Sequence, residues 1–240
     1  DPTMQDFTST MCNNLATNAS KVLVDRRNNQ FYRVVHAQDG NCWMADNLSI
    51  YGQDISATDS DFSSGTYAIP ASSEWSTNLH TEPKVHVVTA TSTSNISGDK
   101  SPYYGQVYYN WTAAVAKSTT VGVTTAPNTS ICPNGWTLPN GGNSSVNKSW
   151  ARLFGNDVGY NYTAGSQFVN NVNPLGFTKY YGNWNFSIAS ENAQGKGSLF
   201  WSGTPNSETN AYSLTYNSGN VNPQFIYAKG EGYSIRCVLR

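Results

Sequence analysis

Four cysteines, Cys12, Cys42, Cys132 and Cys237, constrain this chain of 240 residues more than any other feature. None belongs to a C-x-x-C pair, and no Cys/His cluster has the spacing of a zinc site. The three histidines, His36, His80 and His86, stand near no second ligand type at a useful interval. An even cysteine count without metal spacing implies two structural bridges, and hence an oxidising, extracytoplasmic setting. Spacing alone leaves all three pairings of four cysteines open.

Composition supports an exported polar chain that still builds a core. Charged residues make up 12% of the chain, about half the usual quarter. Amides and hydroxyls replace them, with asparagine at 28 positions. Aromatic residues reach 13%, which sets the chain apart from disordered polar sequences. A net charge of −1 provides no electrostatic footprint for nucleic acid or an anionic membrane. No apolar run approaches the roughly 18 residues of a membrane span. The chain opens on Asp1 and reads as a mature or trimmed piece of a longer export product.

Local patterns suggest short elements joined by polar turns. "TMQDFTSTMCNNLA" reads as a helix capped by Thr3, with Met4, Phe7, Met11 and Leu15 on one face. "KVLVD", "QFYRVVHA" and "NCWMADNL" read as a β-meander that carries Cys42 and Trp43 into the core. Residues 50–103 are rich in Ser, Thr, Asp and Gly, and only "KVHVVTAT" reads as a strand. "QVYYNWTAAVAK" has a helical face of Tyr108, Trp111 and Val115. "SSVNKSWARLFG" has one of Val146, Trp150, Leu153 and Phe154, with Ser144 or Ser145 as its cap and Gly155 at its end. Beyond residue 160 short strands dominate. "NAYSLTYNSG" alternates Tyr212, Leu214 and Tyr216 against Ala211, Ser213 and Thr215, and "GYSIRCVLR" places Tyr233, Ile235 and Cys237 on one face.

Five of these segments occur in an order that carries a family likeness: "VLVDRRNNQFYRVVHAQDGNCWMADNL", "YYNWTAA", "ICPNGWTLP", "FWSG" and "AYSLTYNSGNVNP…GYSIRCV". Together they resemble the Fibrobacter succinogenes major paralogous domain, a family of bacterial surface and secreted modules. The likeness covers about residues 21–49, 104–139 and 199–239. The layout is also similar to the C-type-lectin-like fold, in which a helix follows a W-x-L-P turn and the last strand returns beside the start of the domain. The resemblance implies an α+β architecture: a single lectin-like domain over 1–240, with short helices, antiparallel strands, long loops and two disulfides. Residues 1–20 would form an N-terminal helical segment and 50–103 a polar loop excursion. The chain lacks the Glu-Pro-Asn, Gln-Pro-Asp and Trp-Asn-Asp signatures of calcium-dependent sugar binders, so no calcium or other cofactor is expected.

Cys132 as a nucleophile would need a base and a lowered thiol pKa, and nothing around it supplies either. A bridge to Cys237 fits better: it ties the Trp136 turn to the last strand, while Cys12–Cys42 ties the N-terminal helix to the meander. The fifteen acidic residues show no spacing that singles out a glycosidase pair. No enzyme activity is expected.

Trp43, Trp111, Trp136 and Trp201 read as core. Trp184 and Trp75, with polar neighbours, read as contact residues. The Asn-, Ser-, Tyr- and Gly-rich stretch 206–231 has the composition of a paratope. Its candidate ligand-binding residues are Asn206, Asn210, Asn217, Asn220, Asn222, Gln224 and Tyr227, followed by Lys229 and Glu231. The expected function is a secreted or cell-surface, adhesin-like binding module. Its partner would be a protein or glycan on another cell or surface. The alternative is a structural subunit of a bacterial surface filament or coat, in which the same loops contact copies of the chain. Neither nucleic acid nor membrane insertion is expected.

Overall fold

The computed structural model describes residues 2–55, 67–69, 81–89, 105–117, 119–142, 145–154, 162–163, 175, 183–185, 190–192, 194, 196–217 and 220–240. Its first element, α1 (Ser9–Asn13), is shorter than the pattern suggested and starts later. The Thr8 hydroxyl, not that of Thr3, caps it by accepting from the Met11 amide at 3.3 Å. Thr3 instead bridges Val24 in parallel and donates its hydroxyl to Asp6 at 2.7 Å. The expected helical segment over 1–20 is therefore mostly turn and extended chain. Met4 and Phe7 are buried, but Met11 is exposed.

Strands then follow in chain order: β1 (Ser20–Asp25), β2 (Gln30–His36), β3 (Cys42–Met44), β4 (Gln53–Ile55), β5 (Tyr67–Ile69), β6 (Val85–Val87) and β7 (Val107–Tyr109). Next come α2 (Trp111–Ala114), β8 (Trp136–Thr137) and α3 (Trp150–Leu153). The C-terminal half carries β9 (Tyr162–Thr163), β10 (Asn183–Asn185), β11 (Ser190–Asn192), β12 (Gly197–Pro205), β13 (Asn210–Asn217), β14 (Asn220–Ala228) and β15 (Val238–Leu239). All strand pairings within the sheets are antiparallel.

Two sheets organise the molecule. The first has the order β1-β2-β3-β15-β8, so the last strand lies between β3 and β8, with Val238 opposite both Trp43 and Thr137. The second has the order β12-β13-β14-β9. The chain bridges Cys12 to Cys42 and Cys132 to Cys237, the expected pairing. The expected strand in "KVHVVTAT" is β6, which pairs with β7; β4 pairs with β5.

The helices are short for local reasons. Val107–Tyr109 belongs to β7, so α2 begins only at Trp111, where Asn110 Oδ1 accepts from the Ala113 amide at 2.9 Å. In α3 the cap is Ser149, whose hydroxyl accepts from the Arg152 amide at 3.0 Å. Lys148, at φ +57°, breaks the helical path just before it, which leaves Val146 exposed rather than on the buried stripe. Gly155 lies outside the described residues.

Strand alternation divides the buried side chains between two cores. Val34, Cys42, Met44, Trp201 and Cys237 enter one cluster. Their chain neighbours Val35, Trp43, Ala45, Phe200 and Val238 enter the other. With both faces covered, β3 is buried at all three positions. In β13 a register irregularity between Ser213 and Thr215 shifts the phase. Ala211, Ser213, Leu214 and Tyr216 are buried, in place of the strict alternation expected there.

Among the described residues five tryptophans are fully buried, and each of their indole N–H groups finds an acceptor. Trp43 donates to Asp39, Trp111 to the Ser202 carbonyl, Trp136 to that of Met4, Trp150 to that of Trp201 and Trp201 to that of Tyr109. A buried ion pair adds a further tie. Arg27 meets Asp25 at 2.7 Å and donates to the Ile131 carbonyl at 2.6 Å, joining the β1–β2 turn to the segment before Cys132.

Trp136→Ala is expected to cost about 3–5 kcal/mol, because it removes a fully buried ring and orphans the Met4 carbonyl. Urea unfolding measures it. Replacing both cysteines of a bridge by serine separates the two loops. In the chain-entropy relation the 105-residue closure contributes about 4.8 kcal/mol and the 30-residue closure about 3.6 kcal/mol. Loss of Cys132–Cys237 is therefore expected to lower stability more than loss of Cys12–Cys42.

Candidate functional site

The C-terminal candidates do not form one patch. Asn206 and Asn210 lie at the β12–β13 turn, and Tyr227 lies opposite Ala211 at the same end of the sheet. Asn217 and Asn222 lie near the opposite end, where Asn222 is registered with Thr215. Asn220 is registered with Thr163. Seven residue steps along β13 separate the two groups by roughly 24 Å at strand rise. Asn206 is exposed and donates to the Tyr212 hydroxyl at 3.2 Å, while Asn222 accepts from the Gln224 amide at 3.0 Å. Trp184 is on β10 opposite Glu191, and its side chain, like that of Asn220, lies outside the described residues. Trp75 lies outside them as well.

Lys229 is not a surface contact. Its ammonium donates to the carbonyls of Val123 at 2.6 Å and Glu208 at 2.9 Å and sits 4.5 Å from the Trp111 ring centroid. Burial pushes its pKa down to about 8, against the opposing pull of Glu208. The two carbonyls and the ring face stabilise the charged form, so this lysine fastens the end of β14 to the loop at Val123.

At the Tyr227 end the structure does bring polar and aromatic groups together. Phe225 and Tyr227 stack at 5.6 Å, Tyr227 tilts against Tyr233 at 6.0 Å, and Tyr233 stacks on buried Trp201 at 4.2 Å. The series runs from an exposed ring, Tyr227 at 41%, to the core. Beside it the chain turns at Gly230, with the Glu231 amide bonded to the Ala228 carbonyl at 3.1 Å. Glu231 Oε2 and the Tyr233 hydroxyl are both buried and have no hydrogen-bond partner among the described residues. Burial raises the Glu231 pKa to about 7. It also raises that of Tyr233 well above the phenolic value, with the Glu231 and Tyr227 charges adding to the shift. An unpaired buried carboxylate is costly, and the raised pKa of Glu231 limits that cost by favouring the neutral acid. Near neutrality Glu231 can either donate or accept, and the neighbouring rings offer a stacking face.

Among the described residues no group of three or more His, Cys, Asp or Glu is placed to hold a metal ion. His36 bonds the Leu15 carbonyl at 2.7 Å, His86 stacks on Tyr108, and His80 lies outside the described residues. Both cysteine pairs are bridged, so Cys132 has no thiol for nucleophilic chemistry. Also among the described residues, no helix is long and apolar enough to cross a membrane.

Sequence patterns select Tyr227 by composition, but Tyr233 reads only as a core position on the last strand. Its unpaired hydroxyl has no sequence signal, because it arises from the turn at Gly230 and the stack on Trp201. No protein-family profile, curated protein or solved structure matches the chain.

A pH series tests the Glu231 assignment. Between about pH 4.5 and 7 the unfolded carboxyl is ionised while the folded one keeps its proton, so folding stability contributed by this group falls with rising pH. Wild type is expected to lose stability relative to Glu231→Gln across that window, by roughly 1–2 kcal/mol after allowance for partial exposure, with a constant gap above it. Urea midpoints of the two proteins at each pH measure the difference.

Proposed function

We propose that this chain is a non-catalytic, extracellular binding module, adhesin-like in type. Its recognition surface is the Tyr227 end of the four-stranded sheet. The observation that carries the reading is the Phe225–Tyr227 stack, half-buried at Phe225 and exposed at Tyr227, beside two buried oxygens, on Glu231 and Tyr233, that have no partner among the described residues. Aromatic faces with adjacent polar groups suit a sugar ring or a protein loop. Two disulfides support a location outside the cytoplasm. The kinship proposed with the Fibrobacter succinogenes major paralogous domain and the C-type-lectin-like fold is supported by the final strand. It returns between β3 and the Trp136–Thr137 strand that follows Cys132.

A specific feature also supports the structural-subunit reading. Val22 and Phe31 are exposed on the β1–β2 hairpin, Phe31 at 71%. They stand on one face, since Val22 pairs with Arg33 and Val24 with Phe31. Concentration-dependent sedimentation separates the two readings: polymers that Phe31→Ser dissolves would favour the subunit, and a monomer at all concentrations the binding module.

The test of the binding surface is a combined glycan and protein array with wild type, Tyr227→Ala and Asn217→Ala/Asn222→Ala. Tyr227→Ala is expected to weaken capture at least about tenfold with little change in Tm. The double variant, at the far end of the sheet, is expected to bind normally. The reverse pattern would move the surface to the β13–β14 turn.

A further inference from the structure

A concave feature lies against the first sheet, lined by none of the residues of the Tyr227 surface. A cavity of about 350 Å³ opens between α1, the β2–β3 turn, the loop before α3 and the end of β15. The Cys12–Cys42 bridge forms part of its wall. Its polar lining is dominated by donors. Lys148 and Arg240 bring two cations to it, and Asn13, Asn41 and Asn147 bring amides.

The hydrogen bonds show which of these groups are committed. Asn147 Oδ1 accepts from Asn41 Nδ2 at 3.3 Å and from the Lys148 amide at 3.0 Å. Its Nδ2 group has no acceptor among the described residues. Lys148 Nζ likewise has neither a hydrogen-bond acceptor nor an ion-pair partner among them. Arg240 uses one nitrogen, donating to the Asn128 carbonyl at 3.4 Å. The nearby acid, Asp39, already accepts from the Asn41 amide and side chain and from the Trp43 indole. Burial, and then the charge of Arg240, lower the Lys148 pKa, in keeping with a cation that has no counter-charge among the described residues.

The loop that carries these groups is held in place. Asn140 donates its amide N–H to the Lys148 carbonyl at 2.9 Å and its side chain to the Asn147 carbonyl at 2.8 Å. Lys148 occupies the left-handed region at φ +57°, a strained choice for lysine that presents its side chain from a tight turn. The donors are thus positioned before any ligand arrives, which lowers the ordering cost of binding.

We propose that this cavity is a binding site for a small organic carboxylate that also carries hydroxyl groups, of the size of one acidic sugar residue. The carboxylate answers the two cations that have no ion-pair partner among the described residues, and the hydroxyls answer the spare amide donors and Asn41 Oδ1. A volume near the low end of small-molecule sites, about 300–1,000 Å³, fits a single ring and exceeds what a simple inorganic anion fills.

Calorimetric titration of the 240-residue chain at fixed ionic strength tests the assignment, with sodium glucuronate, sodium N-acetylneuraminate, glucose and sodium sulfate as probes. One of the two acidic sugars is expected to bind saturably at least about tenfold more tightly than glucose or sulfate. Lys148→Asn keeps a residue that tolerates the left-handed backbone and removes the charge. This variant and Arg240→Gln are each expected to weaken the acidic sugar about tenfold, while Tyr227→Ala leaves it unchanged. Far-UV and thermal scans confirm that each variant folds. Equal affinity for glucose and the acidic sugars would overturn the proposal, as would sulfate binding as tightly as the sugar, or undiminished binding by both charge variants. Failure of the Tyr227 surface on the arrays has no bearing on this outcome.

Discussion

The insertion of β15 between β3 and β8 is the constraint on which the rest of the structure depends. Without it the first sheet would be two pieces: a meander ending at β3 and an isolated two-residue strand at Trp136. One registered pair on the β3 side and two on the β8 side are weak alone, and the Cys132–Cys237 bridge makes them durable by holding the turn against the strand. The approach to β15 is held as firmly. Arg236 is fully buried, donates to Asn47 at 2.7 Å and lies 5.1 Å from the Phe200 ring. The same run of chain carries Tyr233, so closing the first sheet also places the candidate surface on the second.

Aromatic packing ties one of the two cores to both sheets. Trp43, Trp150, Phe200 and Tyr216 form a chain of ring contacts at 5.1, 5.9 and 6.1 Å that passes from β3 through α3 to the second sheet. Because each buried indole also donates to a main-chain or carboxylate oxygen, these rings set orientation as well as fill volume. A fold with so little regular structure relies on such bonds, since its short helices contribute few of their own.

Legibility in the sequence followed the range of the interactions involved. The meander was readable because β-branched and aromatic residues recur over short spans with turn residues between them, as in "KVLVD" and "QFYRVVHA". Helix starts were misread at Thr3 and at Ser144 or Ser145, where a hydroxyl in the right local pattern had a competing use or lay ahead of a left-handed residue. Thr3 pairs with Val24, and Lys148 interrupts the path to Trp150. Alternation in "AYSLTY" failed at the shift between Ser213 and Thr215, which no residue type announces.

What the sequence determined by itself is the chemistry of the chain: an even set of cysteines fit for bridging, a low charge, four tryptophans in apolar segments suited to a core, and a C-terminal stretch rich in asparagine and tyrosine. These are properties of residues and short spans, and they hold in any fold that buries the aromatics. Tertiary structure alone decided which of those residues stand together. Strand rise sends Asn217 and Tyr227 to opposite ends of one sheet, although both belong to one polar stretch. The turn at Gly230 sets Glu231 beside Tyr233, and the first bridge and the last strand gather Asn41, Asn147, Lys148 and Arg240 around one cavity. Such meetings depend on long-range pairing, whose free energy is shared across the whole chain and leaves no local mark.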